Sequence, residues 1–389
     1  MKASSIIVIV VLLAVLQSQC TKRLTPTTPV TETTYEWNKF VMGSDASYTN
    51  QIEDNGGIYK INNTPIDPFS VLKQIGCNTI RVRLWYNPSW VLPLSNGKYY
   101  SDLYDAEKTI RRAKQQGMSV NLCIHYSDDW ADPDKQNTPT AWQGLGISAL
   151  KDSVYQYTLR TLVYLNSKNL TPEMIQIGNE TTNGMLWPTG KITNNTNWNN
   201  FGILINSGIK AVRDFSVNAT IKPQIIIHVA QFQYANWFAT SLTTKAAVTD
   251  FDILGVSHYY KWSTINTMQA IGDSIKVLKN KFNKKIMIVE TAFPFTNDNA
   301  DSYNNLFYST TSIDKYTVSK EGQQQYLIDL TQTIISNGGS GIMYWEPTWI
   351  TSKMNDRWGI GSSWENNAFF DFSGNLLPTI TFMKYPYQF

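Results

Sequence analysis

Cysteine and histidine are scarce in this chain, three of each in 389 residues. Cys20 ends an N-terminal apolar run, and the other two, Cys77 and Cys123, stand in apolar surroundings. Neither a disulfide framework nor a zinc site is therefore expected; buried free thiols are. Charge is also thin, 16% of residues, and the formal +3 is spread without a Lys/Arg cluster. No electrostatic footprint for nucleic acid is present. A G-x-S-x-G elbow, a phosphate loop, a dinucleotide glycine fingerprint and an H-E-x-x-H helix are all missing. The longest apolar run, residues 6–16 after Lys2 and before "QSQC", is too short to span a bilayer comfortably and reads as an export signal. Residues 1–20 are thus expected to be a signal peptide, with Cys20 a candidate lipid-modified cysteine, although Gln19 fits poorly the small residue usual before such a cysteine. Residues 21–36, Thr/Pro-rich and without apolar periodicity, read as a flexible tether. A monomeric domain over 37–389 should follow, secreted or held at the cell surface.

Aromatics are plentiful: 13% of residues, with 13 Trp and 21 Tyr. That suits a well-packed body with ring surface to spare for a sugar or peptide groove. Eight short β-rich runs recur: "KFVMGSD", "NTIRVRLWY", "SVNLCIHYS", "MIQIGNE", "QIIIHVA", "FDILGVSHYY", "KIMIVET" and "GIMYWEP". Helical segments fill the intervals, such as "DLYDAEKTIRRAKQQG", opened by an Asp cap and closed by Gly117, and "KDSVYQYTLRTLVYLNSKN". Eight alternating units predict an α/β fold, a single (β/α)8 TIM barrel with long βα loops at 85–100 and 292–317. Polar residues gather at the ends of the runs: Asp45, Arg81 and Arg83, His125, Asn179 and Glu180, His228, His258 and Tyr259, Glu290, then Trp345 and Glu346. In a barrel such positions converge on the C-terminal face, where active sites are built.

Carboxylates, amides and aromatics are what glycoside hydrolysis requires: two carboxyl groups flanking the scissile bond, donors that hold them in different protonation states, and rings on which sugar faces pack. Glu180 on the fourth run and Glu290 on the seventh lie nearly opposite in an eight-strand ring. A retaining mechanism needs their carboxyl groups about 5–5.5 Å apart. Glu290 must stay ionised, so a second-strand arginine, Arg81 or Arg83, with Tyr259 is expected to supply donors. Glu180 must carry a proton at the first step, so it needs a drier setting or a repelling neighbour. The rival readings are a mannanase or cellulase on the same barrel, a glycan-binding surface protein without turnover, and a metal-dependent barrel hydrolase.

The strings "HYSDDWADPDKQNTPTAW", "PEMIQIGNETTNGMLWPTG", "IVETAFPFT", "YWEPTWI" and "GSSWENNAFFDFSGNLLP" carry a resemblance that runs from Phe40 to Pro378. The chain resembles family 53 of the glycoside hydrolases, the endo-β-1,4-galactanases. The resemblance implies that Glu180 is the general acid/base, Glu290 the nucleophile, and Asn179 a hydrogen-bond partner of the sugar 2-hydroxyl. It implies β-1,4-galactan as substrate and no cofactor for the chemistry. His125 and His228 are expected to position these groups, Asp45 and Trp345 to shape the subsite before the cleaved bond, and Asp128, Trp130, Trp187, Trp262 and Trp349 to line the groove. Two departures stand out: "SHYYKW" where the family commonly has Tyr-Tyr-Pro, and "HVAQFQ" where glycine or asparagine is common near Gln231. Some bacterial members hold calcium in the loop after strand seven, and "NDNADSYNN" offers Asn299, Asp301 and Asn305 as ligands for a structural Ca²⁺, their alternating oxygens suiting that ion.

Overall fold

All eight apolar runs form strands, and the strands close on one another. The computed structural model describes residues 32–308 and 315–389; the stretch expected to be a signal peptide, Cys20 and the start of the expected tether lie outside the described residues. The strands are β1 (Val41–Asp45), β2 (Thr79–Leu84), β3 (Ser119–Ile124), β4 (Met174–Ile177), β5 (Gln224–Ala230), β6 (Ile253–His258), β7 (Lys285–Thr291) and β8 (Gly341–Tyr344). They form one closed barrel in which each pairs in parallel with its neighbours and β1 pairs with both β2 and β8. Besides a short helix at Thr49–Asp54, seven helices return the chain between strands: α1 (Pro68–Gln74), α2 (Leu103–Gln115), α3 (Ile147–Ser167), α4 (Trp198–Ser216), α5 (Phe232–Thr244), α6 (Met268–Phe282) and α7 (Lys320–Ser336). The eighth unit departs from the ideal. Among the described residues after β8 there are only 3₁₀ turns, and one of them, Phe382–Lys384, packs on α7.

Local chemistry explains the helix starts. Asp102 caps α2 by accepting from the Asp105 N–H, and Gly117 just past its end takes φ 68°, the left-handed stop that glycine supplies without a Cβ clash. α3 begins at Ile147, ahead of the stretch expected from sequence, and buries Leu150, Val154, Thr158, Leu162 and Leu165 on one face. Each such aliphatic side chain contributes roughly 1.5–3 kcal/mol on burial.

Strand alternation then divides the molecule into two cores. Outward-facing residues such as Ile80, Val82 and Leu84 pack with the helices, whereas Val41, Met174, Ile226, Ile253, Met287 and Met343 form a separate cluster inside the ring. A Cβ on Gly43 would come within 2.6 Å of the Met343 side chain, so the filling of the barrel requires glycine there. Polar side chains belong to the same inward set two or four residues further along: Asp45, Arg81, Gln176, His228 and Ser257, all at most 2% exposed.

The sequence-predicted tether ends earlier than residue 36. Thr33 donates to the Lys384 carbonyl, and Tyr35 is buried, its hydroxyl on the Tyr385 carbonyl and its ring 5.5 Å from that of Phe389. An aromatic that finds a hydrogen-bond partner and ring neighbours stays packed, whatever the Thr/Pro composition before it.

Candidate active site

Glu290 reaches the cleft through an irregularity in its strand. Met287 and Val289 both belong to the interior cluster, so strict alternation would turn Glu290 outward. In the β6–β7 ladder Ile288 pairs with Val256 but the next pair is Glu290 with Ser257; Val289 is the extra residue of a bulge. Bulges re-aim side chains in this way beside active sites. The Glu290 carboxylate then meets Arg81 at 2.7 Å on Oε1 and the Tyr259 hydroxyl at 2.9 Å on Oε2. The sequence left Arg81 and Arg83 open as partners, and the structure selects Arg81. Its guanidinium also binds Asp45 at 2.7 Å and donates to Asn179 Oδ1 at 2.7 Å and to the Cys123 sulfur at 3.3 Å.

Arg83 lies two residues along on the same side of β2 and does a different job. Its guanidinium is ringed by Tyr48, Trp85 and Trp130, at 4.3, 4.6 and 4.1 Å from the ring centroids, and bonds Glu346 at 3.3 Å. Cation–π contacts of a buried arginine fix aromatic walls as firmly as packing does. Glu346 is fully buried, and burial, with Asp45 nearby, raises its pKa well above the usual carboxylate range.

Glu180 follows β4 in the left-handed region, φ 44° and ψ 50°, a conformation costing a non-glycine residue about 1 kcal/mol or more and concentrated at functional sites. Its backbone N–H donates to His228 Nδ1 at 3.1 Å. That bond places the imidazole proton on Nε2, 2.8 Å from Ser257 Oγ, and Ser257 in turn donates to the Glu180 carboxylate. Burial holds His228 neutral, with Arg81 acting in the same direction, which preserves this tautomer.

The two glutamates share a cavity but not a protonation state. Glu180 is partly open to the cleft, yet desolvation, then the charge of Glu290, pushes its pKa up to about 8. Burial raises Glu290 too, but Arg81 and the Tyr259 hydroxyl oppose it. Tyr259 keeps its proton because burial, and then Glu290, raises its pKa far above the ordinary phenol value. Of a coupled pair that shares one proton, the member with two strong donors is the ionised one. The pair therefore holds its proton on Glu180.

Arg81, Arg83, His125, Trp130, Asn179, Glu180, Tyr259, Trp262, Glu290, Trp345 and Trp349 line one cavity of about 440 Å³. Asp45 and His228 stand behind it, through Arg81 and through Glu180. His228 lies within β5 and not at its end. His258 does not join the face: it is buried, with its ring 5.6 Å from that of Phe232. Asp128 and Trp187 stand outside this cavity. Both line a neighbouring cavity of about 640 Å³, and the Asp128 carboxylate is spent on the backbone N–H groups of Asn87 and Thr140.

Sequence reasoning overlooked Gln176, which accepts from Arg81 Nε at 3.4 Å and donates to Asn179 Oδ1 at 3.2 Å and the Cys123 sulfur at 2.9 Å. The signal was present, a lone amide in "MIQIG" on the inward period of β4. Ser257 and Trp364, the second of which also lines the cavity, were overlooked as well, and Glu346 was placed on this face without a role.

The expected calcium ligands do not assemble. Asn299 Oδ1 accepts from the backbone and side-chain N–H groups of Asn305, while the Asp301 carboxylate accepts from the N–H groups of Tyr303 and Ser362 and from Thr351. Calcium takes six to eight oxygens. Of the three expected ligands only Asn305 has a side-chain oxygen, Oδ1, buried without a hydrogen-bond partner, and among the described residues no group of three or more His, Cys, Asp or Glu could hold a metal. The loop is braced by its own donors, and the residues do not fit the ion.

Arg81 should bear much of the site's stability. Arg81→Met is expected to lower the unfolding free energy by about 3–5 kcal/mol near neutral pH, because it strands Asp45 and Glu290 as buried charges. Urea unfolding reads this directly, and a midpoint unmoved at pH 7 would contradict the role.

With this geometry in hand, similarity to known proteins is informative. The family model Glycosyl hydrolase family 53 matches residues 41–383. An arabinogalactan endo-beta-1,4-galactanase of Cellvibrio japonicus is 38% identical over 353 residues, 90% of this chain and 92% of that protein. An endo-beta-1,4-galactanase of Bacillus subtilis is 30% identical, over 89% of this chain and 86% of that protein. The Ignisphaera aggregans GH53 catalytic domain superposes with a TM-score of 0.81 at 33% identity, covering 92% of this chain and all of that one.

Proposed function

The chain belongs to glycosyl hydrolase family 53, and from that membership we propose that it is an endo-acting, retaining hydrolase of β-1,4-galactosidic bonds in galactan and arabinogalactan. The observation that carries the reading is the unlike environment of the two glutamates: Glu290 held by Arg81 and Tyr259, Glu180 raised by burial and by Glu290 itself. In the first step Glu290 attacks the anomeric carbon while Glu180 gives its proton to the departing glycosidic oxygen. The carbon–oxygen bond to the leaving sugar breaks as the bond to Glu290 forms. In the second step Glu180, now ionised, takes a proton from water, whose oxygen displaces Glu290. Asn179, its Oδ1 held by Arg81 and its amide nitrogen donating to the Ala131 carbonyl, is the residue we assign to the sugar 2-hydroxyl. Neither step draws on a metal or an organic cofactor.

Export belongs to the same proposal, supported by the apolar run at 6–16 and by a substrate too large to enter a cell, with Cys20 as the candidate lipid attachment point. The test is hydrolysis of purified β-1,4-galactan, followed by product length and by NMR of the anomeric centre. Short galacto-oligosaccharides released with β configuration are expected, and none from mannan or cellulose. Initial α-anomeric products would sink retention, and equal turnover of mannan would sink the substrate.

A further inference from the structure

Arg81 and Glu180 are joined by side chains from several strands. Arg81 Nε lies 3.4 Å from Gln176 Oε1, Gln176 Nε2 lies 2.9 Å from His228 Nδ1, and His228 Nε2 lies 2.8 Å from Ser257 Oγ. Ser257 then reaches the Glu180 carboxylate. The members stand on β2, β4, β5 and β6. Cys123 fills the place of β3, its sulfur 3.3 Å from Arg81 Nη2 and 2.9 Å from Gln176 Nε2. Gln176, His228 and Ser257 are fully buried and Arg81 is 2% exposed, so bulk water does not compete for these contacts.

Every bond in this chain runs in the same direction. A guanidinium only donates, so the Gln176 oxygen faces Arg81 and its amide nitrogen faces His228. Nδ1 of His228 accepts the Glu180 backbone N–H, so it carries no proton and accepts from Gln176 as well. Asn179 Oδ1, 3.1 Å from the same nitrogen, takes its protons from Arg81 and Gln176. The imidazole proton is left on Nε2 and goes to Ser257 Oγ. With its oxygen occupied by that donor, the Ser257 hydroxyl has its own proton free for Glu180. The polarity set by Arg81, which also holds Glu290, is thereby carried to the acid/base. No proton travels along the chain, because arginine does not give one up; the chain orients and polarises.

A carboxyl group that must donate in one step and accept in the next needs its two oxygens told apart. We propose that Gln176 and Ser257 are positioning residues of the reaction, which act through His228 to commit one Glu180 oxygen to Ser257 and leave the other facing first the glycosidic oxygen and then the water. In the first step the proton sits on the free oxygen, since the carbonyl oxygen is the better acceptor for Ser257. In the second step Ser257 holds the carboxylate while the free oxygen takes a proton from water. Neither Gln176 nor Ser257 lines a cavity that Glu180 and Glu290 share, so both act through other groups and not on the sugar.

This inference rests on the glycosidase reading, and the experiment keeps the two apart. A dinitrophenyl β-1,4-galactobioside is given to the wild type and to Gln176→Met, Ser257→Ala and Ser257→Thr, with the phenol followed from the first turnover. Its leaving group needs no proton, so the first step is independent of Glu180, whereas the second, which sets kcat, depends on it. In Gln176→Met and Ser257→Ala kcat is expected to fall about tenfold or more, the scale of a hydrogen bond to a charged group. The burst of phenol should stay near about one per enzyme molecule. That burst counts active molecules, so a misfolded fraction does not pass for a slow step. Azide displaces Glu290 from the glycosyl ester without needing a base; it should restore most of the lost turnover and appear in a β-linked glycosyl azide. Ser257→Thr, which keeps the hydroxyl, should stay within about threefold of the wild type. On galactan the alkaline limb should move to higher pH in Ser257→Ala. Burial and Glu290 raise Glu180, the Ser257 hydrogen bond opposes them, and Asp132 and Arg81 add effects of opposite sign. A burst that shrinks in step with kcat, turnover indifferent to azide, an unmoved alkaline limb, or a kcat in either variant within about threefold of the wild type overturns the proposal. A wild-type enzyme that releases no dinitrophenol overturns the glycosidase reading instead.

Discussion

Glu290→Ala is expected to lower kcat on galactan by on the order of 10⁵-fold, the scale seen when a covalent nucleophile is removed while binding contacts remain. About 7 kcal/mol of transition-state stabilisation disappears. Binding of galacto-oligosaccharides should persist, since the tryptophan walls and Asn179 do not depend on Glu290. The variant also uncovers the mechanism. With Glu290→Gly, added azide fills the vacated position, attacks the anomeric carbon from the nucleophile's side and yields an α-linked glycosyl azide. A β-linked azide, or variant hydrolysis near the wild-type rate, would remove Glu290 from the role.

Glu180→Gln is expected to cost about 10²–10⁴-fold in kcat on galactan, and much less on a nitrophenyl galactobioside, whose leaving group departs without a proton. Wild-type activity should follow a bell-shaped pH curve. Its alkaline limb lies near the Glu180 value of about 8, because the proton to be donated is lost above it, and its acid limb reports protonation of Glu290. In Glu180→Gln the alkaline limb of the residual activity on galactan should vanish; its survival would assign that limb to another group.

Stability should move in the opposite sense to activity. A carboxyl whose folded-state pKa is raised binds its proton more tightly in the native state. It therefore stabilises the fold fully below the unfolded value near 4.5, and the contribution is lost as pH rises towards 8. Glutamine mimics the protonated form at every pH. Glu180→Gln should accordingly unfold at a higher temperature than the wild type at pH 8, by a margin worth on the order of a few kcal/mol, and show little difference at pH 4. Equal melting temperatures at both pH values would mean that Glu180 is not desolvated in the folded protein.

The two glutamates were legible because each ends an apolar run, where a buried carboxylate needs a purpose. The place of Asp128 and Trp187 was not legible, for a related reason. They stand in strings as rich in Asp and Trp as the site itself, and nothing in a string tells whether a carboxylate will meet a sugar or the N–H groups of Asn87 and Thr140. The loop from Asn299 to Asn305 has the alternating oxygens of a calcium site, yet those oxygens are taken up by donors from its own backbone and from the Thr351–Ser362 segment. Gln176 was visible as a polar interruption in β4, but its partners come from β2, β3 and β5.

By itself the sequence determined the barrel, since eight strand runs alternating with helical segments bury their apolar residues in few other ways, and it determined which two carboxylates face each other. Only the tertiary structure decided how they differ. Arg81 and Arg83 have the same alternation and the same charge; barrel closure puts one against Glu290 and Asp45 and stacks the other among rings. The bulge at Val289, the left-handed turn at Glu180 and the His228–Ser257 contact lie in separate strands and loops, far apart along the chain. Protonation follows desolvation and the nearest charges, and those are distances between strands, which a linear order of residues does not contain.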